Sequence, residues 1–284
     1  MAKAGETGTR PVVGLLNPGA MGSSVGAAMR ANATVLWASA GRGERTVSRA
    51  RDAGLEDAGT LAELVARSEV VVSVCPPEAA LALAREVAAA GPRGVYVDAN
   101  AVSPQTARAV GEVVTAAGAS FVDGGIIGPP AHRPGTTRLY LCGADAPRVA
   151  ALFAGSPMDA RVIEGGPGAA SALKMTYAAW TKGSDALILA IRALAAAEGI
   201  EDALVEEWNL SQTALPAKVE RAAASQSPKA WRFVGEMEEI ADTFANAGLP
   251  DGFHRGAADL YRRLAGFKDA DPPSLEAAIR AIRG

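Results

Sequence analysis

Cysteine, histidine and aromatic residues are all scarce: two Cys, two His and 5% Phe, Trp and Tyr among 284 residues. Cys75 and Cys142 each sit in an apolar run that reads as a strand, which favours inert core thiols over a disulfide or a metal pair. His132 and His254 stand in no ligand spacing with a cysteine or with each other, so no metal is assigned. Charge of one sign is missing too: the formal net charge is −3 and no Lys/Arg-rich run occurs, which disfavours nucleic acid as a partner. No uninterrupted apolar run reaches about 18 residues, and residues 1–10 are small and polar without an apolar h-region. Neither a membrane span nor a signal peptide is therefore expected, and a cytoplasmic protein with a loose tail over residues 1–10 is.

The composition that remains, 49% apolar and 21% charged, is that of a globular chain able to bury a large core. Its two halves follow different patterns. From Pro11 to about Glu164, short β-branched runs at 11–16, 34–37, 69–74, 95–98, 120–123, 137–142 and 161–163 alternate with helical stretches at 20–31, 43–53, 60–67, 78–90, 103–117 and 146–154. That alternation predicts an α/β Rossmann domain with a doubly wound, mostly parallel sheet, whose ligands bind outside the carboxyl ends of the strands. After Gly165-Gly166-Pro167-Gly168 no strand is expected. A proline-free segment over 169–197 reads as one helix of roughly 40 Å, apolar around its circumference and in need of neighbours on several sides. Helices at 200–211, 214–225, 228–247, 253–266 and 273–283 complete an all-α C-terminal domain. The expected boundaries are 11–165 for the first domain and 166–284 for the second.

The most informative stretch is Val12-Val13-Gly14-Leu15-Leu16-Asn17-Pro18-Gly19-Ala20-Met21-Gly22. It reads as a G-x-G-x-x-G dinucleotide fingerprint whose first slot is Asn17. Gly19 lets backbone approach a pyrophosphate, Gly22 lets the helix lie against the strand, and the helix N-terminus supplies N–H donors. Asparagine tolerates the positive φ of the first slot. An ordinary strand-turn-helix would look similar, so the neighbouring strands decide. After the second run, Ser39 and Arg42 replace the acid that would bind a ribose 2′-hydroxyl. A hydroxyl and a guanidinium suit a 2′-phosphate, hence NADP rather than NAD, unless Arg42 and Arg45 are simply solvated loop charges. Cys75-Pro76-Pro77 and Asn100 follow two further strand ends, where proline stops the ladder and turns backbone groups toward a crevice.

Together these segments resemble the β-hydroxyacid dehydrogenase superfamily, which includes 3-hydroxyisobutyrate and 6-phosphogluconate dehydrogenases. The likeness spans almost the whole chain. It rests on Gly19-Ala20-Met21-Gly22, Val74-Cys75-Pro76, Phe121-Val122-Asp123-Gly124-Gly125-Ile126-Ile127-Gly128 and Gly168-Ala169-Ala170-Ser171-Ala172-Leu173-Lys174-Met175. Ala-Leu-Lys-Met with a following Thr181-Lys182-Gly183 narrows it to the branch with a distinct phosphogluconate-dehydrogenase-like C-terminal domain. The resemblance implies a nicotinamide cofactor, a substrate turn at Ile126, Ile127 and Gly128, a catalytic lysine at Lys174, a cleft at the domain junction and a homodimer formed through the helical halves. Some family residues are absent. Ile127 replaces the serine of the substrate turn, Ala178 replaces the asparagine one turn after the lysine, and a late Lys-Asp pair is not recognisable near Gly235-Glu236-Met237-Glu238-Glu239. The family's usual small hydroxy-carboxylates are not carried over.

Helical geometry adds support around Lys174. At about 100° per residue, Tyr177, Thr181 and Asp185 fall within roughly 60° of it, a polar stripe on an otherwise apolar helix. Tyr177 and Thr181 are candidate substrate residues. Lys174 would move a proton as hydride moves, with partial burial lowering its pKa; alternatively it reaches solvent and pairs with an acid. Arg133 could grip an anion or be a solvated loop charge. Glu236, Glu238 and Glu239 could line a cleft for a cationic substrate or form one outward face of a helix. Trp180 and Trp231 read as core or interface anchors. The reading that follows is an NADP-dependent oxidoreductase acting on a small hydroxy or carbonyl substrate. Imine reduction is the enzymatic alternative, and a non-catalytic NADP-binding regulator or scaffold is the alternative of another class.

Overall fold

The computed structural model of the chain describes residues 10–268 and 270–284. Nine of the ten residues expected as a loose tail lie outside them. Two compact units result, one ending at Lys174 and one beginning at Met175.

The first unit runs β1 (Val12–Leu16), α1 (Ala20–Met29), β2 (Thr34–Trp37), α2 (Glu44–Asp52), β3 (Glu56–Asp57), α3 (Leu61–Arg67), β4 (Val70–Ser73), α4 (Ala80–Ala89), β5 (Val95–Asp98) and α5 (Pro104–Ala116). It continues with β6 (Ser120–Ile127), β7 (Thr137–Cys142), α6 (Ala146–Ala151), β8 (Met158–Val162) and the first turns of α7 (Ala169–Glu198). One eight-stranded sheet is ordered β3-β2-β1-β4-β5-β6-β7-β8, with every neighbour parallel except β6 and β7. Strand order reverses between β1 and β4, the kind of switch point where such sheets open a crevice.

Successive strand residues enter opposite layers, as a sheet covered on both faces requires. Val13, Leu15, Val35, Trp37, Val70, Val72, Val95 and Val97 pack in one core cluster, whereas Leu16, Leu36, Val71 and Tyr96 pack in another. Helix starts are fixed locally. Thr60 and Glu63 form a reciprocal capping box on α3, and Ser103 caps α5 with Pro104 in its first turn.

Several expectations are corrected here. β3 is missed because two exposed acidic residues carry no strand period; pairing of Leu36 with Glu56 and Trp37 with Asp57 creates it. β6 does not end at Asp123. It runs on to Ile127 because β7 pairs with it antiparallel, Gly124 against Leu141 through Ile127 against Arg138, so the expected turn is a strand up to Gly128. β4 stops at Ser73, which leaves Cys75 beyond the strand. β8 begins at Met158 rather than 161.

The second unit holds the rest of α7 with α8 (Glu201–Ser211), α9 (Leu215–Gln226), α10 (Ala230–Asn246), α11 (Gly252–Leu264) and α12 (Leu275–Arg283). No strand occurs after Val162 among the described residues. Phe233, Met237, Ile240, Tyr261 and Leu264 are buried between α10 and α11, with the Phe233 and Tyr261 rings edge to face at 5.3 Å. Within this apolar layer Lys182 pairs with Glu236 at 2.7 Å, and the Tyr261 hydroxyl donates to the Lys182 carbonyl at 2.8 Å. The three glutamates therefore do not share an outward face: Glu236 turns inward, while Glu238 meets Arg262 at the surface. Neither tryptophan is a core anchor, because Trp180 is 71% and Trp231 37% exposed. Among the described residues no helix is long and apolar enough to cross a membrane.

Candidate active site

At the carboxyl end of β1 the chain turns through Asn17 with φ at 61°, the only positive φ outside glycine among the described residues. Pro18 is buried, and the Gly19 N–H donates to the Asn17 carbonyl at 2.7 Å, closing a tight turn. α1 then begins with Ala20, Met21 and Gly22, and no side chain caps its first N–H groups. Open space surrounds a Cβ built at Gly19, whereas one at Gly22 would lie 2.3 Å from the Asn17 carbonyl oxygen. Helix and turn touch at Gly22, and Gly19 leaves the approach to the helix N-terminus clear. An uncapped helix start is an anion site. The Asn17 Oδ1 is buried without a hydrogen-bond partner among the described residues, an acceptor still lacking a donor. Turn, open glycine and orphaned oxygen fit a dinucleotide with a pyrophosphate and ribose hydroxyls.

Past β2, Ser39 and Arg42 lie in one turn, closed by the Arg42 N–H donating to the Ser39 carbonyl at 3.0 Å. The sequence reading missed Asp57 at the end of β3. Its Oδ1 accepts the Ser39 N–H at 3.3 Å and the Gly59 N–H at 2.8 Å. The Ser39 hydroxyl and the Gly59 N–H hold this carboxyl below the usual range, so it stays ionised. An acid thus stands next to Ser39, brought there from a neighbouring strand rather than from β2 itself.

The next two strand ends are tied to each other. The Asn100 amide donates to Ser73 Oγ at 3.1 Å and accepts the Cys75 N–H at 2.6 Å, while the Asn100 N–H donates to Asp98 at 2.9 Å. Both ends of the buried Asn100 side chain are thereby occupied inside the protein, and Pro76 and Pro77 continue into a short 3₁₀ turn ahead of α4. Burial pushes the Cys75 thiol up to about 11, so it remains protonated at neutral pH, and neither cysteine is in a disulfide. No group of His, Cys, Asp or Glu among the described residues could hold a metal ion.

Lys174 lies in the second turn of α7, half-buried, on a helix seated directly against β6. A Cβ at Gly125 would fall 2.6 Å from the Ala170 carbonyl oxygen and 3.1 Å from the Lys174 Cβ. Ile126 and Ile127 are both buried, Ile126 within the sheet core, and Gly128 leaves the strand at φ 123°. His132 and Arg133 follow on an exposed loop. Of the helical stripe, Tyr177 is 46% exposed and the Thr181 hydroxyl donates back to the Tyr177 carbonyl at 3.3 Å. Asp185 has its own partners, accepting from Gln226 at 2.6 Å with Lys218 at 3.8 Å. It also borders a groove of about 690 Å³ in the helical unit with Lys218, Arg221, Ser225 and Pro272, which sequence patterns did not reveal.

In the first unit, Asn17–Gly22, Ser39 with Arg42, Cys75–Pro77 and Asn100 all follow the carboxyl ends of parallel strands and share one edge of the sheet. Residues 12–152 match the family described as the NAD binding domain of 6-phosphogluconate dehydrogenase, and residues 195–264 match a domain of unknown function (DUF1932). Among solved structures, the conserved protein MTH1747 of unknown function is 25% identical with TM-score 0.64, covering 95% of each chain; its structure is described as similar to 3-hydroxyacid dehydrogenases. The 3-hydroxyisobutyrate dehydrogenase of Mycobacterium tuberculosis is 20% identical with TM-score 0.72, covering 97% of this chain and 100% of its own. A reductive aminase from Aspergillus terreus, solved with NADPH and ethyl levulinate, is 17% identical with TM-score 0.56, covering 97% of this chain and 100% of its own.

Proposed function

From an N-terminal domain that belongs to the 6-phosphogluconate dehydrogenase NAD-binding family, within a chain of 3-hydroxyacid dehydrogenase fold, we propose an NADP-dependent oxidoreductase with Lys174 as its acid–base residue. The observation that carries the reading is the seat of Lys174: Gly125 on β6 brings strand and helix together beside the substrate segment Ile126–Gly128. Asn17–Gly22, Cys75–Pro77 and Asn100 would hold the cofactor, which would supply or receive hydride at its nicotinamide. Ser39 and Arg42 support a 2′-phosphate, hence NADP over NAD. Asp57 opposes it, so the preference is a balance between a fork of positive charge and a nearby carboxylate.

Proton handling falls to Lys174. As an ammonium it donates to the oxygen of a carbonyl being reduced; as a neutral amine it takes the hydroxyl proton of an alcohol being oxidised. Tyr177 and Thr181 extend the same helix face for substrate contact. Ile127, apolar where related enzymes carry a serine, favours a less polar substrate and motivates a second reading, reduction of a C=N bond. A cytoplasmic setting agrees with two unpaired cysteines. A homodimer through the helical half accounts for the exposed Trp180, Leu187 and Leu194, which recur at heptad spacing along α7.

The test is turnover of hydroxy acids, aldehydes and imines with NADPH and NADH, in wild type and Lys174→Ala. Loss of turnover with retained NADPH binding is expected. Activity unchanged in the variant removes Lys174 from the mechanism, and NADPH binding without turnover of any compound favours the regulator.

A further inference from the structure

The chemistry proposed above makes no use of Asp123, a carboxylate that, like Asp98, is buried in the first unit. It stands on β6 between Val122 and Gly124, and its partners all belong to the start of α7. Oδ2 accepts the N–H groups of Ala170 at 2.7 Å and Ser171 at 3.1 Å, and Oδ1 accepts the Ser171 hydroxyl at 2.6 Å. The Gly168 N–H adds a further bond. An ionised carboxylate without water is costly unless hydrogen-bonded, and these donors together with the helix macrodipole are what make it tolerable. Burial raises its pKa even so.

Geometry gives this cap a meaning beyond helix stability. Asp123 and Gly125 are two apart on β6 and so face the same side. Asp123 grips Ala170 and Ser171, and Gly125 sits under the Ala170 carbonyl and the Lys174 Cβ, one turn further along. Two residues of one strand thus set both the height and the rotation of α7 at Lys174. The same strand ends in Ile126–Ile127, so lysine and substrate segment are held in one frame.

We propose that Asp123 is the positioning residue for Lys174, clamping the first turn of α7 onto β6 with Gly125 as the seat. The inference rests on Lys174 being the acid–base group, but the placement it describes can be read without turnover. In full-length protein, Asp123→Asn puts an amide N–H where helix donors converge. Ser171→Ala is the gentler second variant, removing only the hydroxyl partner of Oδ1. Four quantities are measured: amide exchange over 168–176, acetylation of Lys174 by acetic anhydride relative to exposed Lys229, NADPH Kd, and kcat and KM with glyoxylate, propanal and 1-pyrroline.

Expected for Asp123→Asn are exchange at Ala170 and Ser171 faster by about tenfold, and a relative acetylation rate of Lys174 changed by about threefold. A kcat lower by about tenfold or more accompanies them, with NADPH Kd unchanged. Ser171→Ala moves each quantity the same way by less. Unchanged exchange and acetylation in both variants overturn the inference, and so does an unchanged kcat alongside faster exchange, which reduces Asp123 to a helix cap. Equal losses in NADPH binding and kcat overturn it as well, because a general structural defect does that. If wild type reduces none of the three probes, the functional reading fails separately, while exchange and acetylation still decide the placement.

Discussion

The N-terminal unit buries a carboxylate and the helical unit buries an imidazole, and the two are accommodated by opposite means. Asp123 lies where backbone and hydroxyl donors converge at the start of a helix, so an ionised group is solvated by the fold itself. His254 lies between Phe244 and Phe253, with ring centroids 4.4 and 5.1 Å away, and its Nδ1 has no hydrogen-bond partner among the described residues. Burial holds its pKa below the usual imidazole range, which keeps it neutral. A sheet whose helices start at strand ends offers sites for charge, because unsatisfied N–H groups gather there. Packed helix flanks present no unsatisfied N–H groups, and a charged group among them is matched by another side chain, as Lys182 is by Glu236. The two units differ accordingly in where chemistry can be mounted.

Substitutions in the first unit should alter ligand chemistry, and those in the second should alter stability. The largest effect is expected from Lys174→Ala, which lowers turnover by about 10²–10⁴-fold with NADPH affinity retained, checked by steady-state rates beside fluorescence titration. Gly22→Ala comes next. Its Cβ meets backbone at 2.3 Å, so turn and helix must separate and NADPH affinity falls by about tenfold or more, with little change in the melting of the helical unit. Asp57→Asn removes the carboxylate beside Ser39 and raises the ratio of NADPH to NADH affinity by roughly three- to tenfold, read from paired titrations. An unchanged ratio would detach Asp57 from cofactor choice.

The smallest effect concerns acid. His254 has a folded pKa below its ordinary 6.5, so its contribution to stability is present above that value and is lost as pH falls through the folded pKa. Asp123 has the opposite sign, since a raised carboxyl pKa means that acidification relieves its burial. Protection of α11 amides, taken relative to their intrinsic exchange, should therefore fall below about pH 6.5, while that of α7's first turn does not. His254→Leu should flatten that dependence. Simultaneous loosening of both segments would erase the contrast.

Sequence reasoning reached most elements because their signals are local. β2, β5 and β7 begin and end where the runs Thr34–Trp37, Val95–Asp98 and Thr137–Cys142 do, and the single long helix from Ala169 stands out by lacking proline. The first fingerprint slot asks for a positive φ that asparagine tolerates, and Asn17 has one. What escaped depends on partners distant in sequence. β3 exists only by pairing with β2, and β6 reaches Ile127 only because β7 runs back along it. Asp57 comes beside Ser39 across strands, and Glu236 turns inward because Lys182 is there to meet it. At the candidate site, fingerprint and lysine were legible as motifs. The Asp123 clamp was not, since a lone aspartate in a strand announces no partner.

The turn at Asn17 also bears on how the protein ages. An asparagine side chain hydrolyses through attack by the backbone nitrogen of the following residue, which closes a succinimide and leaves a carboxylate behind. Here the following residue is Pro18, which has no N–H and cannot carry out that attack. An asparagine held at positive φ in a tight turn is thus paired with the one neighbour that forbids such damage. Over the lifetime of a molecule, no negative charge accumulates by this route at the mouth of α1, where it would repel a pyrophosphate.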